Sequence, residues 1–301
     1  MFKVVLACVL VIPLTVRFAA AADMAVKAPP APPPSVASWT GNYFGVDLGG
    51  RWDDTHANVT SVMTGTPPVA GNFGPGESFN GASFRAGVFA GRNWQIDPHW
   101  VVGAEADWSW AHQNRSQAGS PYPGVISNSV AGVGGPFPVS ATPDSSFAVR
   151  SNWDASFRLR AGFLVTPSLL LYGTGGLALM DLRTTGTCST AFAGGGGSST
   201  CAPGNYFFGQ LGPPVNTQST VLVGGTVGAG LEGLISPNWT WRAEYRYSDF
   251  GHRNFTDVRT CSGACGGGGA AAAATTPLAV SYSMRVSTQI ALIGLAYKFS
   301  N

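Results

Sequence analysis

Beyond residue 41, apolar and polar residues alternate with a period of two along much of the chain. In "NWTWRAEYRYSDF" (Asn238–Phe250), Trp239, Trp241, Ala243, Tyr245 and Tyr247 share one face, while Thr240, Arg242, Glu244, Arg246 and Ser248 share the other. Such alternation marks a β-strand with two unlike faces. Eight segments of this kind are predicted, at 42–52, 82–95, 100–110, 153–165, 169–183, 220–234, 238–250 and 284–299. The fifth has a phase blurred by Gly173, Gly175 and Gly176, which leaves room for a bulge.

The connections alternate as well. Three are tight and carry Pro98, Pro167 or Pro237; four are long, at about 53–81, 111–152, 184–219 and 251–283, and rich in Gly, Ser, Thr and Ala. Long structureless loops argue against a compact soluble domain. Strict alternation puts every tight turn at one end of the sheet and every long loop at the other, the layout of a transmembrane barrel with short periplasmic turns. A soluble sandwich also alternates, but here the aromatic face runs to both strand ends and no helix covers it. A single eight-stranded sheet then either buries that face in lipid or aggregates. Closure also pairs every backbone group, as hydrocarbon requires. The expected fold is all-β, an eight-stranded antiparallel up-and-down transmembrane β-barrel with long outer loops.

That topology assigns the faces. Trp94, Trp100, Trp239, Trp241 and Tyr297 fall near strand ends, where amphipathic rings favour the lipid–water boundary. The inward phase collects Asp47, Glu105, Asp107, Asp154, Glu232 and Glu244 together with Arg85, Arg158, Arg160, Arg242, Arg246 and Lys298. An eight-stranded barrel is only wide enough for side chains to fill, and an unpaired buried ion costs several kcal/mol. A cross-lumen salt-bridge network is therefore expected, with inward glycines at 87, 103, 162, 224 and 228 leaving room for the arginines.

Composition narrows the class further. Charged residues make up 11% and apolar residues 45%, with 41 glycines; an ordinary soluble domain carries about 25% charge. A net charge of +2 without a basic run excludes nucleic acid as a partner. The opening "MFKVVLACVLVIPLTVRFAAAAD" reads as an export signal over residues 1–22: Lys3, an apolar stretch and a small-residue cleavage site. Pro13 and Arg17 leave it too short for a spanning helix, which needs about 20 apolar residues; nothing accounts for Arg17 itself. "APPAPPPSVAS" follows as an extended Pro-rich linker, so that 23–40 is linker and 41–299 barrel. Cys188, Cys201, Cys261 and Cys265 form two local pairs in Gly-rich stretches, candidate disulfides whose connectivity the sequence leaves open. Their spacing does not suit zinc, and no metal or cofactor is expected.

"WTGNYFGVDLGG", "GVFAGRNWQ", "VVGAEADW", "LYGTGGLAL", "TVGAGLEGLISPNWTWRAEYRYSDFG" and the terminal "LAYKF" resemble, in this order, the small outer-membrane barrels of alphaproteobacteria. This surface-immunogen group is described as porin-family or OmpA-like. The resemblance implies residence in a Gram-negative outer membrane, contact with its lipid and lipopolysaccharide, and delivery by the barrel-assembly machinery. Two departures stand out. Ser300 and Asn301 follow the final aromatic Phe299, and Arg92 stands where the group commonly has Tyr.

Catalytic motifs are absent from this pattern. "GAGLEG" fits a dinucleotide loop but lies inside an alternating strand, without the helix that motif requires. No His sits two residues from a Ser on an outer strand face, so a lipid-modifying dyad is not expected and the chain is read as non-enzymatic. Three functions remain: an envelope-structural barrel that displays loops to an extracellular partner, a narrow diffusion porin, and, remotely, a lipid-modifying enzyme.

Overall fold

The computed structural model describes residues 38–64, 76–119, 142–187, 210–211, 215–262 and 276–299. The export signal, nearly all of the Pro-rich linker, and Cys188, Cys201 and Cys265 lie outside the described residues. Ten strands follow in order: β1 (Gly41–Thr64), β2 (Glu77–Ser78), β3 (Gly81–Gln95), β4 (Trp100–Gly119), β5 (Thr142–Thr166), β6 (Leu169–Thr187), β7 (Gln210–Leu211), β8 (Val215–Ser236), β9 (Trp239–Ser262) and β10 (Thr276–Lys298). Two are short additions, β2 on β1 and β7 on β9. The eight long strands pair with their neighbours, all antiparallel, and β10 returns to β1 with Tyr43 opposite Lys298 and Arg51 opposite Ile290. The sheet closes into an eight-stranded barrel without a free long edge.

Three two- to four-residue turns, at 96–99, 167–168 and 237–238, share one end of the barrel. The first is held by Asp97, whose Oδ1 accepts from the Trp100 amide at 2.8 Å and the His99 amide at 2.7 Å, a local bond that favours turn over strand. At the opposite, loop end the strands outrun expectation. Much of 53–81, 111–152, 184–219 and 251–283, read from sequence as loop, continues as paired strand. The cause lies in the inward positions there: Ala57, Val59, Phe147, Val149, Val280 and Tyr282 are all buried, so the extensions have a core to cover.

No bulge interrupts β6, whose register with β8 runs unbroken from Leu169 opposite Gly233 to Thr187 opposite Val215. Two irregularities lie across from it in β5, between Arg150 and Asp154 and between Leu164 and Thr166. The alternation in β6 is ambiguous because both of its faces are apolar: Leu170, Ala178, Met180 and Leu182 point into the barrel while Leu171, Leu177 and Leu179 point out.

The outer wall is apolar. Phe157, Leu159 and Ile293 are 58%, 65% and 68% exposed although they sit in mid-strand. Trp100 and Trp110 mark the ends of this band on β4. Their ten-residue separation, at a rise of ~3.4 Å and a tilt near 40°, spans about 26 Å along the barrel axis, the height of the apolar belt of such barrels. Trp94, Trp100, Trp239, Trp241 and Tyr297 all stand outward at the turn end, with Trp239 and Tyr297 packed edge-on at 5.3 Å. Arg92 lies over the Trp94 ring, 5.5 Å from its centroid, and so keeps its charge at the rim.

A substitution distinguishes this wall from a water-facing one. Leu159→Arg should lower stability by about 2–4 kcal/mol in lipid vesicles, read as a drop in the urea midpoint; an unchanged midpoint would mean that the position faces water.

Candidate functional site

Three layers fill the barrel interior. At the turn end, the chain just before β1 enters the mouth. Trp39 is 1% exposed and packs with Val101, Leu164, Leu170 and Tyr172. Its Nε1 donates to the Pro167 carbonyl at 3.1 Å and its amide donates to Gln95 Oε1 at 3.1 Å. The predicted linker thus ends as a stopper. Lys298, expected in the charge network, instead donates from Nζ to the Ser38 carbonyl and makes no ion pair among the described residues.

The middle layer is ionic. Glu105 accepts from Arg158 Nη2 at 2.5 Å, Arg242 Nη1 at 2.7 Å and the Tyr43 hydroxyl at 2.9 Å. Asp107 meets Arg85 at 3.1 Å, Arg158 at 2.9 Å and Arg246 at 3.0 Å, and also accepts from Ser156 Oγ at 2.6 Å. Asp47 bridges Arg85 at 2.5 Å and Arg242 at 3.2 Å. Glu244 pairs with Arg158 and, at 3.0 Å, with Arg246, and accepts from the Tyr172 hydroxyl at 2.9 Å. Glu232 takes Arg160 at 2.5 Å, and Asp154 takes Arg85 at 3.2 Å.

Two members are missed by the sequence reading. Arg51 is fully buried and pairs with Asp154 at 3.3 Å and Asp53 at 3.0 Å. Both Arg51 and Asp53 share the parity of Asp47; Asp53 is lost when the first strand is ended at Trp52, whereas Arg51 lies inside that segment and carries the inward signal. Six arginines therefore meet seven carboxylates among the described residues.

Aromatic rings complete the layer. The Arg242 guanidinium lies 3.3 Å from the Phe89 ring centroid, and that of Arg160 lies 4.2 Å from the Tyr172 centroid; cations are attracted to such faces. The inward glycines serve these rings and close backbone approach more than the arginines. A Cβ at Gly91 would strike the Tyr43 ring, and one at Gly230 would come within 2.7 Å of Tyr172. Of the five glycines expected to make room for arginine, only Gly103 adjoins one closely, Arg160 at 3.0 Å.

The loop-end layer is apolar, and the sequence reading does not anticipate it. It gathers Phe79, Phe147, Met180, Leu222, Phe250, Tyr282 and Met284, with Phe147 5.6 Å from Phe79 and 5.5 Å from Tyr282. Phe79 arrives because its amide donates to the Thr55 carbonyl at 2.7 Å, folding the chain after β2 inward. Tyr282 lies beyond the apolar band of the wall; burial pushes its hydroxyl up to about 12, so it stays a neutral partner of Thr184 Oγ1 at 3.0 Å.

His56 Nδ1 lies 3.3 Å from Ser78 Oγ, both exposed, because β2 pairs with β1 there. The backbone of Cys261 is in β9, opposite Thr276.

Residues 18–299 match the family described as "Outer membrane protein beta-barrel domain". The chain is 32% identical over 247 residues to the 31 kDa outer-membrane immunogenic protein of Brucella melitensis, covering 80% of this chain and 84% of that one. It is 25% identical over 285 residues to the 25 kDa outer-membrane immunogenic protein of Brucella abortus, covering 93% and 90%. Among solved structures, the outer membrane protein OprG of Pseudomonas aeruginosa aligns over 87% of this chain and 97% of its own, at 11% identity and a TM-score of 0.43.

Removing one partner from the ionic layer should cost far more than cutting a surface pair. Arg158→Met takes one arginine partner from each of Glu105, Asp107 and Glu244, leaves the buried layer with excess negative charge, and should destabilise the barrel by about 3–5 kcal/mol. Arg285→Met breaks only an exposed pair with Asp249 and should leave the urea midpoint nearly unchanged. Equal shifts for the two variants would show that the interior is solvated.

Proposed function

This chain belongs to the outer membrane protein beta-barrel domain family and resides in the bacterial outer membrane, and from that premise we propose that it is a non-enzymatic, envelope-structural barrel. It presents its loop end to the exterior and keeps its lumen closed to solutes. The observation that carries this proposal is the layering of the interior: an aromatic stopper at Trp39, a paired ionic layer, and an apolar layer around Phe147 and Tyr282. A solute would have to open both dry layers and strip paired charges between them, each at several kcal/mol.

The names of the relatives, both immunogenic outer-membrane proteins, support surface display rather than catalysis. An extracellular partner at the loops and handling by the barrel-assembly machinery belong to the same proposal. His56 and Ser78 do not by themselves make a hydrolytic site: a nucleophile and base need a third group to orient the base and donors for the oxyanion. A narrow diffusion porin is the competing function, and the two differ in one measurable property.

In planar bilayers the purified wild-type chain should give no steady conductance, and Trp39→Ala combined with Phe147→Ala should give intermittent openings. Steady wild-type openings of porin size that vanish on substituting the inward arginines would establish the porin instead.

A further inference from the structure

One row of the outer wall carries charge that no carboxylate among the described residues neutralises. Asn114 on β4, Arg150 on β5, Arg183 on β6 and Ser219 on β8 stand opposite one another in register, and all four are exposed. The two arginines are thus direct cross-strand neighbours. Residues opposed in this way have Cβ atoms roughly 4.5–5.5 Å apart, and like charges so placed repel.

The flanking residues hold the pair in place. Arg150 Nε donates to Asn114 Oδ1 at 3.0 Å, and Arg183 Nε donates to Ser219 Oγ at 3.1 Å. Each guanidinium keeps its two Nη groups for another partner. Neither arginine makes an ion pair among the described residues. The nearest carboxylate along β6, Asp181, is committed elsewhere: it accepts from the Asn152 amide at 2.6 Å, the Asn152 side chain at 3.1 Å and the Trp153 amide at 2.7 Å.

Position along the strands bears on which anion would suit the pair. On β6 the last exposed large apolar residue is Leu179, four positions before Arg183; on β4 it is Trp110, four before Asn114. Four residues of a strand tilted near 40° rise about 10 Å, which lifts the row out of the hydrocarbon and into the headgroup layer. A pair of planar guanidinium forks suits a phosphate, which each can grip through two N–H groups.

We propose that Arg150 and Arg183 form an outward-facing phosphate site that holds a headgroup phosphate of an outer-leaflet glycolipid. The site ties the wall of the barrel to the surrounding leaflet, independently of whether the lumen conducts.

The test is a binding titration of the full chain in detergent with diphosphoryl lipid A, followed by native mass spectrometry of the retained lipid. Arg150→Gln/Arg183→Gln should bind it at least about tenfold more weakly, whereas Arg92→Gln, at the opposite rim, should bind as the wild type does. Inorganic phosphate at the same concentration should neither bind nor displace the lipid. Unchanged affinity in the double variant overturns the proposal, and so does displacement by inorganic phosphate, which would mark a site for free anions. In lipid-free detergent the double variant should unfold at a urea midpoint equal to or above that of the wild type, because repulsion has been removed. A lower midpoint would make the pair a structural feature and would likewise overturn the proposal.

Discussion

Hydrocarbon offers no hydrogen-bond partner, and that constraint decides the rest of this structure. A sheet in a bilayer must pair its own edges, and here β10 closes onto β1 over the full length of the spanning region. Once closed, eight strands enclose a space that only side chains can fill. The apolar face already meets lipid, so the polar face has to satisfy itself within that space. Ion pairs, tyrosine hydroxyls and packed rings are the means by which it does so.

The three interior layers divide this work. Arginine dominates the ionic layer because a planar fork can serve two or three carboxylates at once, as Arg158 does with Glu105, Asp107 and Glu244. Lysine has no such geometry, and Lys298 is found at the mouth on a backbone carbonyl. The apolar layers pack above and below the pairs, and a low local dielectric of that kind strengthens ionic contacts. The same low dielectric makes each pair costly to break, because a charge left alone has no solvent to turn to.

Much of this is legible in the sequence, since period-two alternation reports faces directly. Parity alone assigns Trp100 and Glu105 to opposite sides of β4, and the Pro-bearing turns at 98, 167 and 237 fix which ends of the strands meet. Parity fails where both faces are apolar, as in β6, and where a strand is ended too early, which is how Asp53 escapes notice; Arg51 carries the inward parity within 42–52 and is legible there. The loop-end extensions are hidden because Gly, Ser and Thr dominate there, although "HANV" and "FAVR" carry the alternation in brief. Partners across the lumen cannot be read at all. A long arginine reaches several carboxylates, and only the closed geometry selects among them. Trp39 and Phe79 enter the interior from segments beside the strands, so no strand periodicity announces them.

The sealed interior is tested most directly by the exchange of arginine side-chain protons. In lipid nanodiscs, the Nε protons of Arg85 and Arg246 donate to Asp154 and Glu244 inside the barrel, and their NMR signals should persist for hours after transfer to deuterated water. If those signals vanish as quickly as those of exposed Arg285, water fills the lumen, and the dry, ion-paired core is contradicted.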